Sequence, residues 1–215
     1  EFMDQYGTDE QCEAALVAAR WPQGFVCPKC AASASCSFRR EGRLYWQCAC
    51  CRYQCSVISG SIFESTKLAL TRWFLAMHLL TQAKNNVSAL ELMRHLGVRY
   101  KTAWLIKHKL MQVMLVREAP RRLDGRVEID DAYLGGELPG AKSGRGSQNK
   151  VPFIAVVQTT PSGHALLVTA FSGTYQAFDF VKYAHRYLAP VQYSFNRRFD
   201  VSTMLVRLLY ASAST

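Results

Sequence analysis

Apolar and polar positions along the chain change period several times. Residues 4–20 are acidic and alanine-rich, with Cys12, Ala15, Leu16 and Ala19 at helical spacing, and Trp21-Pro22 closes the run, which predicts a short helix. Leu44-Tyr45-Trp46-Gln47 and the stretch from Tyr53 to Ile58 read instead as hairpin strands. Over 66–84 the period returns to that of a helix, with Leu68, Leu70, Trp73, Phe74, Met77, Leu79 and Leu80 on a broad apolar face. Ser88, with Glu91 three residues on, opens another helix in the manner of a capping box. Gly97-Val98 turns the chain, and Tyr100 to Met114 form a further helix in which Ala103, Leu105, Ile106 and Leu110 are expected inside. Beyond Pro120 three β-rich runs follow, at 127–136, 151–159 and 164–171, which predict an antiparallel meander. A Gly/Ser loop bearing Lys142, Arg145 and Lys150 joins the first two, and Pro161-Ser162-Gly163 joins the last two. Residues 176–188 and 201–211 then have the pattern of amphipathic helices.

Cysteine spacing assigns chemistry to the first strands. Cys27-Pro-Lys-Cys30 is followed, seventeen residues later, by Cys48-Ala-Cys-Cys51. Two such knuckles place four thiolates around one Zn²⁺ in a tetrahedron, which makes residues 25–60 a zinc ribbon, closed and structural. A segment this small needs the metal to hold a core. Cys50 stands beside the set as a competing ligand, while Cys12, Cys36 and Cys55 are expected to be small buried hydrophobes. The alternative use of a Cys-x-x-Cys, redox exchange, calls for one knuckle rather than two. Eight cysteines and no secretory leader pattern fit metal binding better than a disulfide framework. No apolar run approaches ~18 residues, so no membrane segment is expected.

Charge adds a partner. The chain carries a formal net charge of +10, unevenly spread. Residues 61–117 hold nine Lys/Arg against Glu64 and Glu91 alone. A local basic excess on two helices joined by a short glycine turn is the pattern of a helix-turn-helix, whose second helix enters the major groove of duplex DNA by its N-terminal part. Arg99, Tyr100, Lys101 and Thr102, with Lys107 further along, are the expected DNA contacts. The competing readings are a helical hairpin with a solvated basic face and a zinc-ribbon interaction module unrelated to DNA.

The run Val127-Glu-Ile-Asp-Asp-Ala-Tyr-Leu-Gly-Gly136 sets three acids on one strand that ends at two glycines. Carboxylates held on a strand suit Mg²⁺, a hard cation that takes oxygen ligands; the plainer reading is a strand whose acids face water.

Taken together, the cysteine knuckles, Leu-Gly-Val-Arg-Tyr-Lys-Thr-Ala-Trp (96–104), Glu-x-Asp-Asp-x-Tyr-x-Gly-Gly, Gly-Arg-Gly-Ser-Gln-Asn-Lys (144–150) and Tyr-Ser-Phe-Asn-Arg-Arg-Phe-Asp (193–200) resemble bacterial insertion-sequence transposases of the DDE class, in the ISXO2-like branch with an N-terminal zinc ribbon. The resemblance runs from about residue 20 onward. With the elements read above it gives an α+β chain with a helix over 1–24, the ribbon over 25–60 and a helix-turn-helix domain over 61–120, and it implies a ribonuclease-H-like domain over 121–215. The family's acids hold two Mg²⁺ or Mn²⁺ ions for DNA cleavage and strand transfer, and Asp130 matches the first of these acids, with Asp131 where a Glu is usual. The pattern then departs from the family. The strand that should bear the second aspartate is missing, because Thr169-Ala170-Phe171 runs straight into the C-terminal pattern, and after Glu137 the remaining acids are Asp179 and Asp200. The resemblance thus implies a truncated catalytic domain, a three-stranded meander plus C-terminal helices, that binds double-stranded DNA at element ends in the bacterial nucleoid without cutting it. An active enzyme would require another chain, or Asp179 or Asp200, to complete the metal site. A homo-oligomer or an intact transposase is the implied protein partner.

Overall fold

The computed structural model describes residues 2–83, 86–134, 151–172 and 178–214. It is a mixed α and β chain in two compact units, one formed by Glu1–Leu79, Ser88–Leu110 and Leu205–Thr215, the other by Leu80–Val87 and Met111–Met204. The linear division into four segments differs from this grouping, since the last residues of the chain join the first unit rather than the meander.

In the first unit the N-terminal stretch forms two helices, α1 (Phe2–Tyr6) and α2 (Asp9–Arg20), rather than the single one expected. Thr8 is the reason: its hydroxyl accepts the Gln11 N–H and its own N–H donates to Gln11 Oε1, a reciprocal cap that starts a new helix. Strands β1 (Ser35–Arg40), β2 (Arg43–Cys48) and β3 (Gln54–Ser56) pair antiparallel in that order. β3 is shorter than expected because Ser59 Oγ captures the Ser56 N–H and turns the chain. Against this sheet pack Trp21, Phe25 and Trp46, with ring centroids 4.7 to 6.2 Å apart. Helix α3 (Leu70–Gln82) begins four residues later than its apolar pattern, its Thr71 N–H capped by Asp9 Oδ1 at 3.0 Å. Ser88 caps α4 (Ala89–Leu96) by accepting the Glu91 N–H at 3.1 Å. Gly97 ends α4 in the left-handed region (φ 61°) and leads to α5 (Tyr100–Glu118).

In the second unit β4 (Val127–Leu134), β5 (Val151–Thr159) and β6 (Ala165–Ser172) form the expected antiparallel meander, in the order β4-β5-β6. Helix α6 (Phe178–Phe195) extends past its expected end and carries Pro190 inside it. A 3₁₀ turn, Val201–Thr203, precedes α7 (Met204–Ser214), which from Leu205 onward belongs to the first unit. The loop 140–150 and the glycines after β4 lie outside the described residues.

The family-like run 193–200 builds a clamp in this unit. The Asn196 amide accepts the Val168 N–H at 2.8 Å and donates to the Val168 carbonyl at 3.1 Å, behaving as one residue of an added strand. Its Nδ2 also donates to Glu118 Oε2 at 2.7 Å. Glu118 (2% exposed) further accepts from Arg197 (6% exposed) at 2.5 Å and pairs with Arg121 at 3.0 Å. Arg197 donates to the Tyr193 carbonyl at 3.0 Å and lies over that ring at 3.7 Å. Arg198 donates to the Ala165 carbonyl.

Candidate metal centre and nucleic-acid interface

The two knuckles are built alike. Ala31 N–H donates to the Cys27 carbonyl and Arg52 N–H to the Cys48 carbonyl, at 2.9 and 3.1 Å. Cys27 N–H reaches the Ala32 carbonyl and Cys48 N–H the Tyr53 carbonyl, each at 2.9 Å. Both turns need a left-handed residue after the second cysteine, and Ala31 and Arg52 each adopt it at φ 58°. The fold then brings the turns together. Cys27 Sγ lies 3.6 Å from Cys51 Sγ, and Cys30 Sγ lies 3.5 Å from Cys48 Sγ. All four sulfurs fall within 4.8 Å of one another. A regular tetrahedron with Zn–S bonds of ~2.3 Å has S···S edges of about 3.8 Å, so the four residues fit the ion. The Cys48 thiol is lowered to about 6, first by the backbone N–H of Cys51 and then by that of Cys50, against the burial that raises it. Cys30 is raised to about 12: the Ala32 N–H works against that rise, and the sulfurs of Cys51 and Cys48 drive it. Four thiolates so close together require a cation to ionise jointly. Cys50 is exposed and outside the group, Cys12 and Cys55 are buried as expected, and Cys36 is exposed on β1, contrary to expectation.

The helix pair presents a different surface. Arg99, Tyr100 and Lys101 are exposed where α5 begins, and Thr102 is half-buried beside them. Lys107 does not join them, because it is 7% exposed and its ammonium is pushed down by burial, partly opposed by Glu91. Lys109 turns back to donate to the Ile62 carbonyl at 2.6 Å, and His108 is buried against Trp104, ring to ring at 3.9 Å. Leu105, expected inside, is exposed.

On β4 the acids Glu128, Asp130 and Asp131 are all exposed. Successive strand side chains alternate faces, so Glu128 and Asp130 share one face of the sheet and Asp131 lies on the other. Glu128 pairs with Arg126 at 3.2 Å. Among the described residues the four cysteines are the one group of three or more possible ligands placed for a single ion. Asp200 stands just before the 3₁₀ turn, and the side chain of Asp179, in α6, is outside the described part. Sequence reasoning overlooked Glu118, whose partners Asn196 and Arg197 lie almost eighty residues away; only its place just before Pro120-Arg121-Arg122 marks it.

Residues 7–54, which include both knuckles, match a family described as the transposase zinc-ribbon domain, and residues 122–172 match the ISXO2-like transposase domain. Both matches are to transposase domains. The second transposase match ends at Ser172, the last residue of β6. An uncharacterised protein in transposable element ISH50 of Halobacterium salinarum is 31% identical over 140 residues, 63% of this chain. That alignment covers 45% of the relative, so the chain spans less than half the length of the transposable-element protein it matches. No solved structure matches. Among the described residues no helix is long and apolar enough to cross a membrane.

Proposed function

We propose that this chain is a transposase-like DNA-binding protein of an insertion sequence that has kept recognition and lost a complete active site. The ribbon over Cys27, Cys30, Cys48 and Cys51 holds one structural Zn²⁺. Helices α4 and α5 act as a helix-turn-helix on double-stranded element ends in the nucleoid, and 121–215 is the remnant of a ribonuclease-H-like domain. The observation that carries the reading is the start of α5, where Arg99, Tyr100 and Lys101 stand exposed directly after a tight left-handed turn, in a chain with two transposase-domain matches. Thr102 borders that contact, and Lys107 is withdrawn from it. Loss of cutting is supported by the lack, among the described residues, of further acids grouped with Asp130 for a metal ion, and by the transposase-domain match stopping where β6 stops. Asp130 remains as a single family ligand for Mg²⁺ or Mn²⁺, too few for a two-metal site.

The test is fluorescence anisotropy of the zinc-loaded chain on duplexes cut from the ends of its element. Lys101→Ala should weaken binding by about 1–3 kcal/mol if that side chain reads a base, and should flatten the salt dependence if it contacts phosphate. Unchanged affinity and salt slope would remove α5 from the DNA. The same duplexes, incubated with Mg²⁺ or Mn²⁺, should be bound without nicking. Nicking that Asp130→Ala abolishes would overturn the lost-site reading in favour of a site completed by another chain, Asp179 or Asp200.

A further inference from the structure

Among the described residues strand β4 stands at one border of its sheet. Among the described residues its strand neighbour is β5 alone, at one end of the order β4-β5-β6. The Thr159 N–H donates to the Arg126 carbonyl at 2.9 Å, which fixes the alternation along the strand. Even-numbered residues turn their main-chain groups toward β5, and Val127, Ile129 and Asp131 turn theirs outward. The outward Asp131 N–H is held by the Asp130 side chain at 2.8 Å. Along the same border Ile129 is 70% exposed and Val127 38%. An eight-residue border with bare apolar side chains is a template for a further strand. On the other border Asn196 occupies both main-chain groups of Val168 and Arg198 takes the Ala165 carbonyl.

We infer that β4 pairs antiparallel with β4 of a second copy of this chain, about a two-fold axis at Glu128. Charge and apolar pairing together select the partner and the register. With Glu128 opposite its own counterpart, Arg126 faces Asp130 of the second copy, and Val127 faces Ile129 of the second copy, each pairing occurring twice. The two Val127–Ile129 pairs are the hydrogen-bonded ones and close four main-chain bonds. Glu128 meeting Glu128 is offset by Arg126, already 3.2 Å away on the same strand and diagonal to the second copy's Glu128. Sliding the strands by one pleat in one direction sets Glu128 against Asp130 twice and an acid, Asp131, against Val127; in the other direction Arg126 faces Glu128, but Asp124 meets Asp130 twice and Ile129 loses its apolar partner to Gly125. The paired register joins two three-stranded sheets into one of six and covers the apolar side chains at the border.

Light scattering on the zinc-loaded full chain should give twice the 24.2 kDa of one copy. Ile129→Lys, at a position where the folded single copy exposes the side chain, should halve that mass with an unchanged circular dichroism spectrum. The register is read separately by cysteine substitution and mild oxidation. Glu128→Cys should give a covalent dimer on a non-reducing gel, because facing Cβ atoms of such a pair are about 4.5–5.5 Å apart. Asp130→Cys should not. A single-copy mass for the unsubstituted chain, an undiminished mass for Ile129→Lys, or cross-linking through Asp130→Cys instead of Glu128→Cys would each overturn the inference.

Discussion

Glu118 offers the sharpest energetic test of the second unit. Its carboxylate is buried and receives Arg197 at 2.5 Å, Asn196 at 2.7 Å and Arg121 at 3.0 Å. Glu118→Ala removes the acceptor and leaves the buried Arg197 guanidinium without a counter-charge. Breaking a buried pair from one side costs about 3–5 kcal/mol. Arg197 keeps the Tyr193 carbonyl and the Tyr193 ring, so the low end, about 3 kcal/mol, applies. That is a large part of the 5–15 kcal/mol that typically holds a domain. The double replacement Glu118→Leu with Arg197→Met removes both charges, and should recover most of the loss because the desolvation of the pair disappears with it. Urea unfolding followed by far-ultraviolet circular dichroism gives the magnitudes. Exchange of the Val168 amide, which rests on Asn196 Oδ1, assigns them to this unit. A cost below about 1 kcal/mol for Glu118→Ala, or a double variant as unstable as the single, would refute the claim that an unpaired buried charge sets the cost.

Zinc analysis should find one ion per chain, and chelation should unfold the ribbon and red-shift the Trp46 emission as that ring leaves Trp21 and Phe25; an unaltered spectrum in metal-free protein would show that the aromatic cluster holds without the ion. Ala31→Gly and Arg52→Gly relieve left-handed conformations that cost an L-residue about 1–2 kcal/mol each. Each should raise the chelator concentration needed for half-release of zinc, and a fall for either would mean that the lost side chain matters more than the backbone.

The metal site was legible from the sequence because its information is local. Two cysteines per turn, at a fixed spacing, dictate sulfur positions almost regardless of the rest of the chain. The start of α5 was legible for a similar reason, since Ser88 and Gly97 bracket α4 and so locate the turn. Lys107 was misplaced because α5 is covered on most sides: Ala103, Ile106, His108, Leu110, Met111, Val113 and Met114 are all buried. A helix covered that widely has no narrow apolar stripe from which to infer an outer face. The division of the N-terminal helix was written in Thr8 and Gln11, a local pair that the apolar period alone passes over. Glu118 is the opposite case. Its role depends on residues 78 and 79 positions away, and no pattern of neighbours reports such a contact.

The side-chain amide of Asn196 also governs how far association can proceed. A sheet with two receptive borders adds copies without end and polymerises into a fibre, whereas one receptive border supports a single isologous contact that uses itself up. By filling the hydrogen-bonding positions of Val168, Asn196 blocks one place on the β6 border where a further strand would pair. On the pairing inferred for β4, that block favours an assembly that stops at two, and replacing Asn196 with a residue lacking both a donor and an acceptor should raise the tendency to grow beyond the dimer.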